Sequence, residues 1–102
     1  MLGCRVYNVG MKSKSKTAKQ MERHFKGIAN HYRIEILLLI AGEENITVES
    51  IAKRLGANFK TISQHTRYLV QAGLIDKRYR GRMVEHSLSP YGKRICDFLK
   101  SF

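Results

Sequence analysis

Residues 46–89 read ITVESIAKRLGANFKTISQHTRYLVQAGLIDKRYRGRMVEHSLS, and this stretch decides the fold. Thr47 is a good helix N-cap, and Val48, Ile51, Ala52 and Leu55 follow it at the spacing of one helix face. Gly56 falls just past that helix, where a left-handed conformation costs glycine little. Asn58 caps a second helix predicted from Phe59 to about Ala72, which Gly73 closes. Two helices joined by a tight glycine turn make a helix-turn-helix. Leu74 and Ile75 then open a strand that runs into KRYRGR, and Gly81 turns the chain. The return strand is MVEHSLS, in which Val84, His86 and Leu88 alternate with Met83, Glu85 and Ser87. Ile46 is expected to start a further, very short strand.

On the N-terminal side, Ala18, Met21, Phe25 and Ile28 form one stripe of an amphipathic helix ending near Gly27. Asn30 caps HYRIEILLLIA, whose Ile34 and Ile36 to Ile40 cover most of the helix surface. A helix apolar nearly all round is buried on most sides, so this one is predicted to be the centre of the core, with Gly42 as its stop. On the C-terminal side, Ser89 caps a last helix with Pro90 at its first position. Tyr91, Ile95, Phe98 or Leu99, and Phe102 line one side of it. The expected fold is mainly α with a small β-hairpin: a winged helix-turn-helix of about five helices plus a wing. Residues 17–102 form that domain. Residues 1–16 are expected to be a flexible or partly ordered basic arm, in which Met11 before KSKSK is an alternative start.

The chain has 102 residues, room for one domain, and 43% hydrophobic residues, enough to build its core. Nineteen Lys and Arg face eight Asp and Glu, for a formal charge of +11. Such a field attracts polyanions, nucleic acid first among them. Cys4 and Cys96 have no metal-ligand spacing, and a reducing cytoplasm suits them. The longest apolar run, Ile36 to Ala41, is too short to cross a membrane. No phosphate loop, nucleophile elbow or zinc motif is present, and Asp76, Glu85 and Asp97 are scattered singly. Neither catalysis nor a cofactor is expected.

The candidate site follows from a helical wheel of the second helix of the pair. At about 100° per residue, Leu69, Thr66, His65 and Phe59 fall within roughly 60° of Ile62, on the core side. Lys60, Gln64, Arg67 and Gln71 cluster opposite, with Ser63 at the margin and Thr61 beside Lys60. That face carries two cations and no acid. Gln can bond an adenine edge twice, and Ser can bond base or phosphate. Arg67 is placed to hold the backbone, and amides at the helix N-terminus attract phosphate. Lys77, Arg78, Arg80 and Arg82 surround Gly81, and such a turn can enter a narrow minor groove.

At this point the chain resembles the ArsR-type winged-helix repressors, and more loosely the MarR-type, over about residues 17–100. IANHYRIEILLLI resembles the family's opening Leu-Ala-Asp-Pro-Thr-Arg-Leu-Arg-Ile-Leu helix, with Asn30 and His31 in place of Asp-Pro. LGANFKTISQHTRYLVQAGLI is similar to its Leu-Gly-Leu-Ser-Gln-Ser-Thr-Val-Ser-Arg-His-Leu signature followed by Ala-Gly-Leu. GRMVEHSLSP is similar to its wing return. The resemblance implies a homodimer joined by helices 17–27 and 90–102. It also implies DNA contacts early in the second helix, at Phe59, Lys60, Ser63 and Gln64, although Phe59 replaces a polar residue. Thr66 stands where a Leu usually packs, so a looser local core is expected.

The family's metal-sensing pattern is missing. Val48 to Leu55 contains no cysteine, residues 90–102 contain no histidine, and His24, His31, His65 and His86 lack ligand spacing. The leading expectation is a sequence-specific regulator of double-stranded DNA. The alternatives are a winged-helix adaptor for protein or RNA, and a metal-responsive repressor or a redox-responsive one using Cys4 and Cys96.

Overall fold

In the computed structural model, which describes residues 16–102, four of the five helices start at the N-cap that the sequence marks. The arm at 1–16, apart from Lys16, lies outside the described residues, as do Cys4 and Met11. The helices are α1 (Ala18–Ile28), α2 (His31–Gly42), α3 (Val48–Leu55), α4 (Phe59–Gln71) and α5 (Pro90–Ser101). The wing is β1 (Ile75–Arg80) paired antiparallel with β2 (Met83–Leu88). The fold is therefore a winged helix-turn-helix, mostly helical.

Each cap has a definite partner. Asn30 Oδ1 accepts from the amides of Tyr32 and Arg33, and Thr47 Oγ1 accepts from Ser50 N. The cap of α1 was not legible: Thr17 and Gln20 form a reciprocal capping box, with Gln20 N donating to Thr17 Oγ1 and Thr17 N to Gln20 Oε1. Gly56 takes the left-handed φ of 62° that the turn between α3 and α4 requires.

Helix α2 is the centre of the core. Ile36, Leu37 and Ile40 are fully buried, together with Ile51 of α3, Ile62 and Leu69 of α4, and Leu74. Leu38 marks the limit of the all-round reading, since it is 36% exposed. One position departs from the helical wheel. Phe59, at the first turn of α4, is 50% exposed and faces the opening between that helix and the wing. Thr66 lies on the core side, as the wheel places it, and is 2% exposed, but its Oγ1 has no hydrogen-bond partner. Such a group costs about 1–3 kcal/mol.

Helices α1 and α5 hold the corner between α4 and β1. His24 Nδ1 donates to Ala72 O at 2.7 Å, and Ser89 Oγ donates to Gly73 O at 2.7 Å. Ser89 N donates to Leu74 O at 3.0 Å. Three successive carbonyls at the corner thus receive bonds from the two outer helices or their caps. The approach is close enough to require glycine: a Cβ at Gly92 would lie 1.9 Å from Leu74 O. The residues of α1 that bury themselves here are His24 and Gly27, not the apolar stripe. Phe25 is 53% exposed, as are Phe98 (55%) and Phe102 (94%) on α5.

Candidate nucleic-acid interface

Helix α4 presents the face read from the sequence. Ile62, Thr66 and Leu69 are buried, while Lys60, Gln64, Arg67 and Gln71 are exposed and Thr61 and Ser63 are half-buried. No acid lies anywhere on α4. The helix is set by its packing on α2. The Tyr32 ring stacks on His65 at 5.5 Å, and the Arg33 guanidinium lies 4.0 Å from the centre of the Tyr68 ring. Burial, with Arg33 and His31 nearby, lowers the His65 pKa, so at neutral pH His65 adds no charge to the helix.

The expected use of free amides at the start of α4 needs correction. Asn58 Oδ1 already accepts from Lys60 N at 2.8 Å and Thr61 N at 3.3 Å. The capping residue that starts the helix therefore occupies two donors that would otherwise meet a phosphate.

The wing separates residues that the sequence grouped together. Arg78 pairs with Glu85 and Arg80 with Met83, while Lys77 pairs with His86 and Tyr79 with Val84. Directly opposed residues share a face of the ladder, so Lys77 and Tyr79 face one way and Arg78 and Arg80 the other. Arg80 Nη1 lies 3.6 Å from Glu85 Oε2, which offsets part of its charge. Gly81, with φ 63°, takes the first central position of a two-residue turn, and Arg82 follows it at the tip.

Lys77 and Arg82 line the same cleft as Ser63 and Arg67 of α4, whereas Arg78 and Arg80 are not part of it. Lys60, Thr61 and Gln64 are not part of its lining either, and belong to the outward side of α4. The structure thus brings Ser63, Arg67, Lys77 and Arg82 together around one opening. Sequence reasoning gave Tyr79 no role; it lies on this side of the wing and is 69% exposed. It did not single out Met83 or His86 as cleft residues. The strand register would have grouped Tyr79 and His86 with Lys77, but it depends on a two-residue turn that the sequence leaves ambiguous.

The remaining candidates are structural. His86 Nδ1 donates to Ile46 O at 3.1 Å beside the backbone bridge between those residues, so the expected strand at Ile46 is a single bridge. Cys96 is 2% exposed, and burial pushes its thiol up from its ordinary value, which disfavours the reactive thiolate. Among the described residues, no group of three or more His, Cys, Asp or Glu could hold a metal ion, and no helix is long and apolar enough to cross a membrane.

The bacterial regulatory protein model of the arsR family matches residues 30–77. HlyU from Vibrio cholerae N16961 is 27% identical, with a TM-score of 0.75 over 83% of this chain and 92% of that one. The homodimeric winged helix-turn-helix DNA-binding domain of Mb0332 from Mycobacterium bovis, described as a possible ArsR-family regulator, is 27% identical. Its TM-score is 0.74, with 87% of each chain covered. A possible transcriptional regulator for arsenical resistance is 31% identical over 76% of this chain and 80% of that one, with a TM-score of 0.64. No curated protein matches the sequence.

Proposed function

The chain belongs to the arsR family of bacterial transcriptional regulators, and from that premise we propose that it is a cytoplasmic homodimer that reads a specific double-stranded DNA site. The observation that carries this reading is the shared opening of α4 and the wing: four polar or cationic residues from two elements, beside a helix face without an acid. Lys60, Thr61, Ser63 and Gln64 meet base edges or nearby phosphates in the major groove. Arg67 holds the backbone between the grooves. Residues 77–82 lie on the minor groove or backbone, with Lys77 and Arg82 turned toward the duplex and Arg78 and Arg80 acting at longer range.

The homodimer draws on the exposed Phe25 of α1 and Phe98 and Phe102 of α5, which leave an apolar surface unpartnered in one chain. The Mycobacterium bovis relative, itself homodimeric, supports the same reading. Two copies would place their α4 helices about 34 Å apart, one turn of the duplex. In this reading residues 17–102 are the DNA-binding unit, with the basic arm at 1–16 adding phosphate contacts.

The test selects bound sequences from a random duplex pool and then titrates the selected site with salt. A palindromic site and an affinity that falls steeply with salt are expected, at about 0.9 log units per contacted phosphate for each tenfold rise in salt. An affinity flat with salt, or equal binding to duplex RNA, defeats the proposal.

A further inference from the structure

Helix α1 carries Lys19 and Arg23 four residues apart, and Lys16 precedes them. Like charges at that spacing repel on a helix. The nearby acid on α1, Glu22, is held by Lys26 at 3.0 Å. Lys16, Lys19, Gln20, Arg23 and His24 together line a cavity of about 280 Å³, and no acid is among them. This is just below the size of small-molecule sites, roughly 300–1,000 Å³, and suits a small anion. At about 100° per residue, Lys19, Gln20 and Arg23 lie roughly 120–160° round α1 from Phe25, away from the exposed apolar surface. The cavity borders the corner where α4 ends. His24 bonds Ala72 O there, and a Cβ at Gly73 would lie 2.7 Å from Arg23 Nη2. Ala72 is about 18 Å along the helix axis from Lys60, so the cavity is remote from the reading end of α4.

One buried atom in this group lacks a partner. His24 is 6% exposed, its Nδ1 proton goes to Ala72 O, and its Nε2 is buried without a hydrogen bond. A ring with its proton on Nδ1 offers Nε2 as an acceptor. The Tyr91 ring stacks on His24 at 4.9 Å and fixes its plane, and Lys16 Nζ lies 4.1 Å from the centre of the same Tyr91 ring. Gln20 Oε1 is taken by Thr17 N, which leaves its NH₂ group to donate. The side chains around the cavity thus offer donors from four residues and a single buried acceptor.

We propose that this cavity binds inorganic phosphate as the hydrogen phosphate ion. Its three oxygens without hydrogen accept from Lys16, Lys19, Gln20 and Arg23, and its one P–OH donates to His24 Nε2. Sulfate and a fully ionised phosphate monoester carry the same charge but no hydroxyl, so each leaves Nε2 without a partner. The site uses none of the residues assigned to the duplex, and it stands or falls independently of the DNA reading.

The test is backbone amide NMR on the whole chain, titrated at pH 8 and constant ionic strength with phosphate, sulfate or methyl phosphate. Phosphate is expected to shift the amides of residues 16–24 and 72–74. It should bind about tenfold more tightly than the other two ions, because an unpaired buried acceptor is costly. His24→Asn, whose amide can still donate to Ala72 O, should erase that preference. Arg23→Ala should weaken all three ions, whereas Arg94→Ala on α5 should change none of them; the spectra themselves report whether each variant is folded. Equal binding of phosphate and sulfate by the unaltered chain overturns the site. So does a preference that survives His24→Asn, an affinity unchanged by Arg23→Ala, or shifts centred on residues 60–67 and 77–82.

Discussion

His86 shows how one side chain ties the wing to the body. Burial lowers its pKa most, the Lys77 charge adds to that, and the bond to Ile46 O opposes it. Below pH about 6.5 the unfolded chain therefore takes up protons that the folded chain refuses. Stability from this group is complete above that pH and falls as the pH drops through it, by at most about 1.4 kcal/mol per pH unit. Urea unfolding at pH 7.5 and 5.5 should show the loss. His86→Gln should reduce the slope without removing it, because His65 shifts in the same direction. Ser89 and Gly92 test the corner at the same scale. Ser89→Ala removes a cap and a buried donor and should cost about 1–3 kcal/mol, while Gly92→Ala, whose Cβ would run into a carbonyl, should cost more than about 2 kcal/mol. Thermal unfolding measures both, at about 4–8 °C per kcal/mol for a domain of this size.

At the scale of elements, the wing register makes the cations unequal. Lys77→Ala and Arg82→Ala should each flatten the salt dependence of duplex binding by close to one phosphate, about 0.9 in slope, whereas Arg78→Ala and Arg80→Ala should change it less. Four equal effects would refute the division of the hairpin into two faces. Helix boundaries were legible because capping is local: Asn30, Thr47, Asn58 and Ser89 announce their helices within three residues. The outward face of α4 was legible because periodicity is local too. What the sequence hid depends on distant packing. The helical wheel placed Phe59 inward, but exposure at the first turn depends on what lies beyond it. Nothing near Thr66 told that its hydroxyl would be buried without a partner, whereas the cap at Asn58 already implied that its oxygen takes first-turn amides.

For the whole molecule, the exposed Phe25, Phe98 and Phe102 predict an assembly. Phe98→Glu should shift sedimentation from a dimer to a monomer of 11.8 kDa and sharply weaken binding to a palindrome, with little effect on the monomer fold because this side chain is already more than half exposed. A dimer that survived the change would place the contact elsewhere. The corner at Ala72, Gly73 and Leu74 has a further consequence for how this protein can be rebuilt. Three consecutive carbonyls are bonded to partners outside α4 and β1, so the segment has no slack in length. One residue inserted there would turn the strand's alternate side chains to opposite faces and pull the outer helices off their acceptors together. The exposed stretch Glu43 to Asn45 is held more lightly, by the Glu43–Arg54 pair and, at its end, by Asn45 N donating to His86 O, which leaves Glu44 the freest position. A fluorescent tag, a protease site or new chain ends belong there, and the corner is where a transplanted wing would have to be joined without changing the residue count.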